Sequence, residues 1–303
     1  MQKFSLHTHT LGFDGQNTEK EMLAKAQELG WTHIGFSNHF IVHPKITQAP
    51  MYAFAQRGGY QNIYSSTFDE AIAKFETHYR TIDNLQNTTH IKILKGMEAD
   101  FFSYPEWREN FQKAISHLKP DYIIGSAHFV ERNGILYNSH DLKSAPKIEQ
   151  NQLLHRYWQN ERAAAQSGLF TFLAHLDLMK KTGLGREALW VEEEQKTVQT
   201  IKKSGTAVEL NTSYFKFGEE PYPSPRIMTM LANARIPVLL SDDAHKAEQL
   251  GTNFAQTEKM AQNCGINDFL TPIALNCING GKHENHFEKW SNSNPTAYPR
   301  QRL

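Results

Sequence analysis

Histidines and acids of metal-binding type recur along this 303-residue chain, each close to a predicted strand end. The nine candidate ligands are His7, His9, Asp14, His39, Glu98, His128, His175, Asp243 and His245. Imidazole and carboxylate groups suit zinc, manganese or iron. Residues two apart in an extended segment point the same way, so His7 and His9, like Asp243 and His245, can enter one cavity together. Because a carboxylate such as that of Glu98 can bridge two ions, we expect a site for more than one metal ion.

The elements that must position these residues are short apolar, β-branched runs that alternate with helical patterns. This alternation is typical of βα units around a parallel sheet. Seven strands are predicted, over residues 4–7, 33–37, 91–97, 122–126, 169–174, 207–211 and 237–241. Six of them are followed by a candidate ligand at the same end, where barrel enzymes assemble active sites from separate loops. We therefore predict an α/β fold, with a parallel barrel preferred to an open sheet.

Two segments fall outside this alternation. Residues 41–66 contain prolines, adjacent glycines and several aromatic residues, which predicts a long loop that acts as a lid or substrate wall. Residues 280–303 lack hydrophobic periodicity, which predicts an irregular tail. Since no repeat or linker divides the rest, residues 1–279 are predicted to form a single domain with 41–66 as an inserted loop.

The composition argues against several classes of partner. Lys and Arg total 32, Asp and Glu also total 32, and the charges are not segregated, which argues against a nucleic-acid partner. No apolar stretch approaches the ~20 residues that cross a bilayer, so no membrane partner is expected. Cys264 and Cys277 form no CxxC pair, which argues against a thiolate zinc site and favours a reducing compartment. We expect a cytoplasmic protein, and no pattern predicts its oligomeric state.

Each candidate ligand taken alone has a simpler structural explanation. A His-x-His pair occurs by chance in many strands, and a single histidine at a strand end is commonly a capped or core imidazole. Glu98 alone could be a buried structural acid, and Asp243 alone could cap a helix. The coincidence of ligand types across six strands favours the metal site over these alternatives.

Six short motifs resemble the successive motifs of the polymerase and histidinol phosphatase (PHP) superfamily. They are His-Thr-His-Thr at 7–10, Gly-Phe-Ser-Asn-His at 35–39, Gly-Met-Glu-Ala-Asp at 96–100, Ile-Gly-Ser-Ala-His at 124–128, Ala-His-Leu-Asp at 174–177 and Ser-Asp-Asp-Ala-His at 241–245. Glu-Leu-Asn-Thr-Ser at 209–213, followed by Tyr-Pro-Ser at 222–224, is similar to the histidinol-phosphatase branch. The resemblance extends from residue 4 to about residue 255.

The resemblance implies a distorted (β/α)7 TIM-like barrel, in agreement with the seven strands predicted from the sequence pattern. It also implies three metal positions, held by His7, His9, Glu98 and Asp243, by Glu98, His128 and His175, and by Asp14, His39 and His245. The implied activity is hydrolysis of phosphate esters with two or three divalent ions. For this branch it is release of phosphate from L-histidinol phosphate in histidine biosynthesis. We expect a hydroxide that bridges the ions to attack the phosphorus, with no protein nucleophile.

The chain departs from the family pattern at several positions. Asp14 stands where many relatives carry histidine, which predicts weaker binding of the third ion or a preference for manganese or iron. Ser5 and Asn38 replace acids at positions that orient ligands. Phe40 and Lys181 stand where some relatives carry arginine. The sequence therefore specifies the chemistry better than the substrate.

Catalytic and substrate-binding residues are expected at the same end of the barrel. Asp243 is a candidate to accept the proton of the attacking water. His43 is a candidate to protonate the leaving alkoxide, with an exposed loop imidazole as the alternative. Candidate cations for the phosphate are Arg57, Arg132 and Lys181, with Lys180 as an alternative to Lys181. Glu209 and Asn211, on the one strand without a ligand, are candidates to bind an amine or ring nitrogen of the substrate.

Two other functions are compatible with these residues. The same metal site could act on another small phosphate ester, such as a nucleotide or a cyclic phosphodiester. A barrel that keeps its fold without its chemistry could instead serve as a metal-binding scaffold. Against the scaffold, all nine ligand positions carry ligating residue types.

Overall fold

Strands and helices alternate along the computed structural model, which describes residues 2–272 and 287–290. The strands are β1 (His33–Phe36), β2 (His39–Val42), β3 (Tyr64–Ser65), β4 (Lys92–Asp100), β5 (Tyr122–Ser126), β6 (Phe129–Arg132), β7 (Ile135–Asn138), β8 (Phe172–Leu173), β9 (Ala207–Asn211), β10 (Val238–Ser241), β11 (Phe269–Pro272) and β12 (Phe287–Trp290). The helices are α1 (Glu19–Glu28), α2 (Pro50–Gly58), α3 (Phe68–Gln86), α4 (Pro105–Leu118), α5 (Lys147–Ser167), α6 (Val191–Ser204), α7 (Pro225–Ala234) and α8 (Phe254–Asn263).

The central sheet closes into a barrel. Its strands follow the order β10-β9-β8-β5-β4-β2-β3, β1 also pairs with β4, and every pair is parallel. The N-terminal segment closes the ring, because Ser5 O accepts a hydrogen bond from Gly35 N (2.8 Å) and His9 N donates one to Ala244 O (2.8 Å). The predicted α/β barrel is therefore confirmed, and the N-terminal segment takes the place of its first predicted strand.

The first two predicted strands differ from the structure in detail. The N-terminal segment forms a single β-bridge. The second predicted strand, 33–37, corresponds to β1, and after a break at Ser37 and Asn38 the chain forms a further strand, β2, which the sequence pattern does not predict. At this break, Ser37 Oγ accepts a hydrogen bond from Thr8 N (3.1 Å) and Asn38 Oδ1 accepts one from Thr10 N (2.8 Å). The break therefore fixes the backbone of the His-Thr-His-Thr motif, and Asn38 contributes to it through its hydrogen bond from Thr10 N.

Large side chains fill the barrel and pack against glycines. The interior cluster comprises Phe4, Leu6, Leu94, Tyr122, Ile124, Phe172, Ala174, Ala207 and Leu239. A Cβ atom at Gly96 would lie 2.1 Å from Tyr122 Cζ, and one at Gly35 would lie 2.2 Å from Tyr122 Oη, so both positions require glycine. A second, larger cluster lies between the sheet and the helices. The barrel is therefore a packed core, and its open end is left to the ligands.

The segment 41–66, predicted as a long loop that acts as a lid or substrate wall, contains several short regular elements. It contains the end of β2, α2, β3 and two 3-10 turns, and β3 pairs with β2. Pro50 lies in the first turn of α2, where its missing N–H removes no helical hydrogen bond, and Gly59 ends the helix with φ of 77°. Proline and glycine here mark the ends of short elements, which the sequence pattern alone does not reveal.

The C-terminal region is described in part. Phe287–Trp290 pair antiparallel with Phe269–Pro272, so these four residues of the predicted irregular tail are a strand. Residues 280–286 and 291–303, and also Cys277, lie outside the described residues. Within the part of the chain that the structure describes, no helix combines the length and the apolar character that crossing a membrane requires.

Candidate metal centre

All nine predicted ligands lie at the carboxyl end of the barrel strands, and we call them the ligand floor. They are His7 and His9 in the N-terminal segment, Asp14 before α1, His39 at the start of β2, Glu98 in β4, His128 after β5, His175 after β8, and Asp243 and His245 after β10. Seven of them line a cavity of about 700 Å³, whereas His7 and His9 are fully buried beneath it. The structure therefore brings the whole predicted set together.

Glu98 stands at the centre of the ligand floor. Its Oε2 atom lies 2.7 Å from His39 Nδ1 and 3.4 Å from His7 Nε2. Its Oε1 atom lies 3.1 Å from His175 Nε2 and 3.5 Å from His128 Nε2. The two oxygens thus face different imidazoles, which is the arrangement that a carboxylate bridging two ions needs.

A second group surrounds Asp243. Its Oδ1 atom lies 3.1 Å from His9 Nε2 and 3.6 Å from His7 Nε2, and ligand atoms of these three residues lie within 4.8 Å of one another. Glu98 Oε2 adds a fourth ligand atom, 3.6 Å from His9 Nε2. These are the four residues of the first metal position that the resemblance implies.

A third group surrounds Asp14. Its Oδ2 atom lies 3.2 Å from His39 Nε2 and 3.1 Å from His245 Nε2, and its Oδ1 atom lies 3.4 Å from His9 Nδ1. Through its other ring nitrogen, His39 also belongs to the group around Glu98. His9 and His39 therefore each contribute to two groups. The resemblance implies only one metal position for each of these histidines.

Several atoms of the ligand floor are buried without a hydrogen-bond partner among the described residues. They include His7 Nε2, both ring nitrogens of His9, Asp14 Oδ1, His39 Nδ1 and Glu98 Oε2. An unpaired buried polar atom costs about 1–3 kcal/mol. His39 Nδ1 and Glu98 Oε2 approach to 2.7 Å without hydrogen-bond geometry, as expected of two atoms that face a shared ion. The nitrogen and oxygen donors therefore fit divalent ions of the zinc, manganese and iron class.

Burial and charge have opposite effects on these groups. Burial raises the pKa of the Asp14, Glu98 and Asp243 carboxyls, but neighbouring imidazoles outweigh it and hold each pKa well below its usual range. Burial lowers the pKa of His7 and His39, but the facing carboxylates outweigh it and hold each pKa well above its usual range. The carboxylates are therefore charged at neutral pH, and ions must compete with protons for the imidazoles.

Buried acids fix the orientation of the ligands. His7 Nδ1 donates a hydrogen bond to Glu209 Oε2 (2.8 Å), and His175 N donates one to Glu209 Oε1 (2.9 Å). His128 Nδ1 donates one to Asp100 Oδ2 (3.0 Å). These contacts select the tautomer in which Nε2 of His7 and His128 faces the cluster with a free lone pair.

The positions of Glu209 and Asn211 do not support their predicted contact with the substrate. Both side chains are fully buried, and neither lines the cavity. Glu209 Oε1 accepts a hydrogen bond from Asn211 Nδ2 (2.7 Å), and Glu209 Oε2 accepts one from Ser241 Oγ (2.6 Å). The strand without a ligand, β9, therefore holds the ligands His7 and His175 in place through hydrogen bonds to Glu209.

Sequence reasoning missed two acids next to ligands. Asp100 follows Glu98 by two positions on the same strand face, and its Oδ1 atom accepts a hydrogen bond from His128 N (2.6 Å). That spacing was the signal that could have identified it. Asp242, whose pKa burial raises to about 7, accepts a hydrogen bond from Ser5 Oγ (2.8 Å). Ser5 thus links the N-terminal segment to the acid that directly follows β10.

Lys181 is the predicted phosphate-binding cation that lines the cavity. Burial lowers its pKa to about 8, and its ammonium forms no hydrogen bond or ion pair with the described residues. Lys180 is buried instead, where its Nζ atom lies 3.2 Å from Asp177 Oδ2 and 3.3 Å from Glu220 Oε1. Of the two adjacent lysines, one anchors the loop and the other is free to bind an anion.

The two predicted arginines lie outside the cavity. Arg57 is exposed on α2, with its guanidinium carbon 5.9 Å from the centre of the Phe54 ring. Arg132 on β6 forms an ion pair with Glu149 (2.9 Å). Neither is among the residues that line the cavity, so their predicted contact with the phosphate is not supported by their positions.

The predicted acid His43 also lies outside the cavity. It is 3% exposed, packs against Phe102 and Tyr104, and its Nδ1 atom accepts a hydrogen bond from Lys45 N (3.1 Å). Burial lowers its pKa, which further disfavours the protonated form that an acid needs. This position does not support the predicted role, because His43 follows the end of β2 and packs against the loop after β4.

Known proteins are similar to this chain in sequence. The model of the PHP domain family matches residues 5–213. A protein of Deinococcus radiodurans named probable histidinol-phosphatase is 30% identical over 177 residues, which cover 58% of this chain and 66% of that protein. A protein of the same name from Schizosaccharomyces pombe is 24% identical over 283 residues, which cover 86% of this chain and 87% of that protein.

Two solved structures share the barrel. A histidinol phosphate phosphatase of Lactococcus lactis, solved with zinc, L-histidinol and phosphate, matches with a TM-score of 0.64 and 16% identity, over 92% of this chain and 99% of that chain. A candidate histidinol phosphatase of Listeria monocytogenes matches with a TM-score of 0.68 and 19% identity, over 84% of this chain and 99% of that chain. At these identities the matches establish the fold. Because the family model covers well over half of the sequence, this chain belongs to the PHP domain family.

Proposed function

We propose that this chain is a metal-dependent phosphomonoester hydrolase that converts L-histidinol phosphate and water to L-histidinol and phosphate, a step of histidine biosynthesis. The main observation is the convergence of imidazoles and carboxylates around Glu98, in a cavity that also holds the free cation Lys181. Membership of the PHP family supports the class of reaction, and the names of the relatives support the substrate.

The three groups of ligands would hold two or three divalent ions, with His9, His39 and Glu98 shared between groups. When bound, such ions supply Lewis acidity that activates water and neutralises charge on phosphoryl oxygens. The protein contributes the geometry, because Glu209 and Asp100 orient the ligand imidazoles from below. It also contributes negative charge, since Asp14, Glu98 and Asp243 stay ionised at neutral pH.

We propose that Asp243 accepts a proton from the attacking water. It lines the cavity, and the surrounding imidazoles keep its carboxyl group ionised. Its Oδ2 atom accepts a hydrogen bond from Ser213 Oγ (3.2 Å), which fixes the orientation of the carboxylate. A fixed, ionised carboxylate beside the reaction centre can receive a proton as the water attacks.

We propose that Lys181 binds the phosphoryl group. It follows Lys180 in the 3-10 turn Leu178–Thr182, and the ion pairs of Lys180 with Asp177 and Glu220 anchor that turn. The Lys181 side chain thus begins from a fixed backbone. An ammonium group without a protein counter-ion is available to a phosphoryl oxygen as a point charge.

A panel of esters tests this proposal. Phosphate release would be measured on L-histidinol phosphate, a nucleoside monophosphate and glycerol 3-phosphate, and a cyclic nucleotide would test phosphodiester hydrolysis. We expect kcat/KM for L-histidinol phosphate to exceed the others by at least about tenfold. Equal rates on the nucleotide would contradict the specific substrate. No hydrolysis after loading with zinc or manganese would favour the metal-binding scaffold.

A further inference from the structure

One wall of the cavity carries no charge. Tyr60, Asn62 and Tyr64, which we call the insertion wall, line the cavity from the segment 41–66. Among the described residues that line the cavity, the carboxylates are those of Asp14, Glu98 and Asp243, all on the ligand floor. The organic part of a phosphate ester therefore meets rings and amides rather than a free acid, and rings bind flat or cationic groups through their faces.

Tyr60 is held in place by a close contact with its own helix end. A Cβ atom at Gly58 would lie 2.3 Å from Tyr60 Cε1, so the ring occupies the space that any other residue at position 58 would fill. The Phe54 ring contacts it edge to face, with centroids 6.2 Å apart. The Tyr60 ring is thus oriented by packing, while part of it stays exposed in the cavity.

Lys74 of α3 fastens the insertion wall to the barrel. Its Nζ atom donates hydrogen bonds to Asn62 O (2.9 Å), Tyr64 O (2.8 Å) and Ser65 Oγ (3.0 Å). The Tyr64 ring also packs against Phe129, with centroids 5.9 Å apart. The wall is therefore ordered in the protein itself, and a substrate that binds against it pays little additional ordering entropy.

The insertion wall also contacts the loop that carries a ligand. Asn62 Nδ2 donates a hydrogen bond to Gly12 O (3.3 Å), two residues before Asp14. Burial, followed by the charge of Asp14, raises the pKa of the Tyr60 hydroxyl, as expected if the phenol lies near the metal side. A phosphoryl group on the ligand floor would therefore place its ester substituent next to this wall.

We propose that Tyr60 is the residue that selects the organic part of the substrate, by stacking on phosphomonoesters whose alcohol carries a flat ring. This inference rests on the proposed function, because it takes the ligand floor as the place where the phosphoryl group is hydrolysed. L-histidinol phosphate, with its imidazole ring, belongs to the selected class. Esters with a short ring-free alcohol do not.

Steady-state kinetics of Tyr60→Ala on three esters test the role of Tyr60. L-histidinol phosphate and phenyl phosphate carry a ring, whereas glycerol 3-phosphate does not. We expect kcat/KM to fall by about tenfold for both ring-bearing esters, mainly through KM, and by less than about threefold for glycerol 3-phosphate. Tyr60→Phe should retain the wild-type preference because the ring is kept, and Gly58→Ala should lose part of it because the ring is displaced.

Tyr104→Ala is the matched control, since Tyr104 is a half-buried tyrosine that packs against His43 outside the cavity. Equal losses on all three esters in Tyr60→Ala, or no loss on any, would overturn the inference. If the wild type hydrolyses phenyl phosphate but not L-histidinol phosphate, the proposed substrate fails. The ratio of phenyl to glycerol phosphate still decides the role of Tyr60 in that case. If no ester is hydrolysed, both proposals fail.

Discussion

The ligand floor and the insertion wall enclose one cavity but are built in different ways. The floor collects single residues from the ends of separate strands, and the barrel register sets their distances. The wall comes from one continuous segment that Lys74 and β3 fasten locally. The floor is charged and has unpaired buried atoms, whereas the wall is neutral. We therefore expect that the ligand floor carries the chemistry and the insertion wall carries the substrate selectivity, as separable parts of the protein.

If the floor and the wall are separable, the largest loss of activity is expected from a substitution at the centre of the ligand floor. Glu98→Gln removes the charge from the carboxylate that both imidazole groups face, so metal content should fall and phosphate release should drop by roughly 10³-fold or more. Elemental analysis and a phosphate-release assay measure both. Glu161→Gln is the matched control, because Glu161 is an equally buried acid on α5 that does not line the cavity. Wild-type activity in Glu98→Gln would contradict the metal site.

A smaller effect is expected beneath the floor. Glu209→Gln keeps the shape of the side chain but removes the charge that holds His7 Nδ1, so zinc affinity should fall by roughly 10–100-fold. Competition with a chelator measures the affinity. Glu194→Gln serves as the control, because buried Glu194 pairs with Arg226 on the outer helices. Unchanged affinity in Glu209→Gln would show that this acid has no part in orienting His7.

The cation beside the floor should affect binding more than turnover. Lys181→Met should raise KM for phosphate esters by about tenfold with a smaller change in kcat. Because burial lowers the pKa of Lys181 to about 8, its charge is present below that pH and lost above it. KM of the wild type should therefore rise above about pH 8, whereas Lys181→Arg should keep its charge and show no such rise. A KM in Lys181→Met equal to that of the wild type would refute the phosphate contact.

The smallest effect on KM is expected from a substitution of Lys74, which supports the insertion wall from α3. Lys74→Met removes three hydrogen bonds to residues 62–65, which should loosen the insertion wall and raise KM for L-histidinol phosphate by roughly threefold. Metal content should stay at the wild-type value, since Lys74 touches no ligand. Lys113→Met, which removes an exposed lysine paired with Glu109, is the control. Loss of metal in Lys74→Met would show that wall and floor are not separable.

The sequence predicts the floor well because ligand type and strand period are both visible in it. Apolar runs mark the strands, so the positions of Glu98 and His175 near a carboxyl end follow from the pattern, and parallel strands bring such ends together. The seven-stranded barrel follows from the same alternation. Asp14, predicted as part of the same set, lies within reach of His39 and His245.

The wall and the supporting acids could not be predicted in the same way. Short elements between prolines and glycines in 41–66 have no periodicity long enough to recognise. Whether a buried acid supports a ligand or contacts substrate depends on how the residues around it pack, so the sequence pattern could not indicate that Glu209 accepts a hydrogen bond from His7. Lys180 and Lys181 are identical in type and adjacent in sequence, and only the packing of Tyr214 and Glu220 around Lys180 distinguishes them.

Removing the metal ions and then returning them tests whether the ligand floor works through bound ions. The purified protein would be assayed for bound metal and for phosphate release from L-histidinol phosphate, then treated with a chelator, and then reloaded with zinc, manganese or iron. We predict two or three ions per chain, loss of hydrolysis after chelation, and recovery with the returning ions. Hydrolysis that continues in the metal-free protein would contradict the claim that the ligand floor works through bound ions.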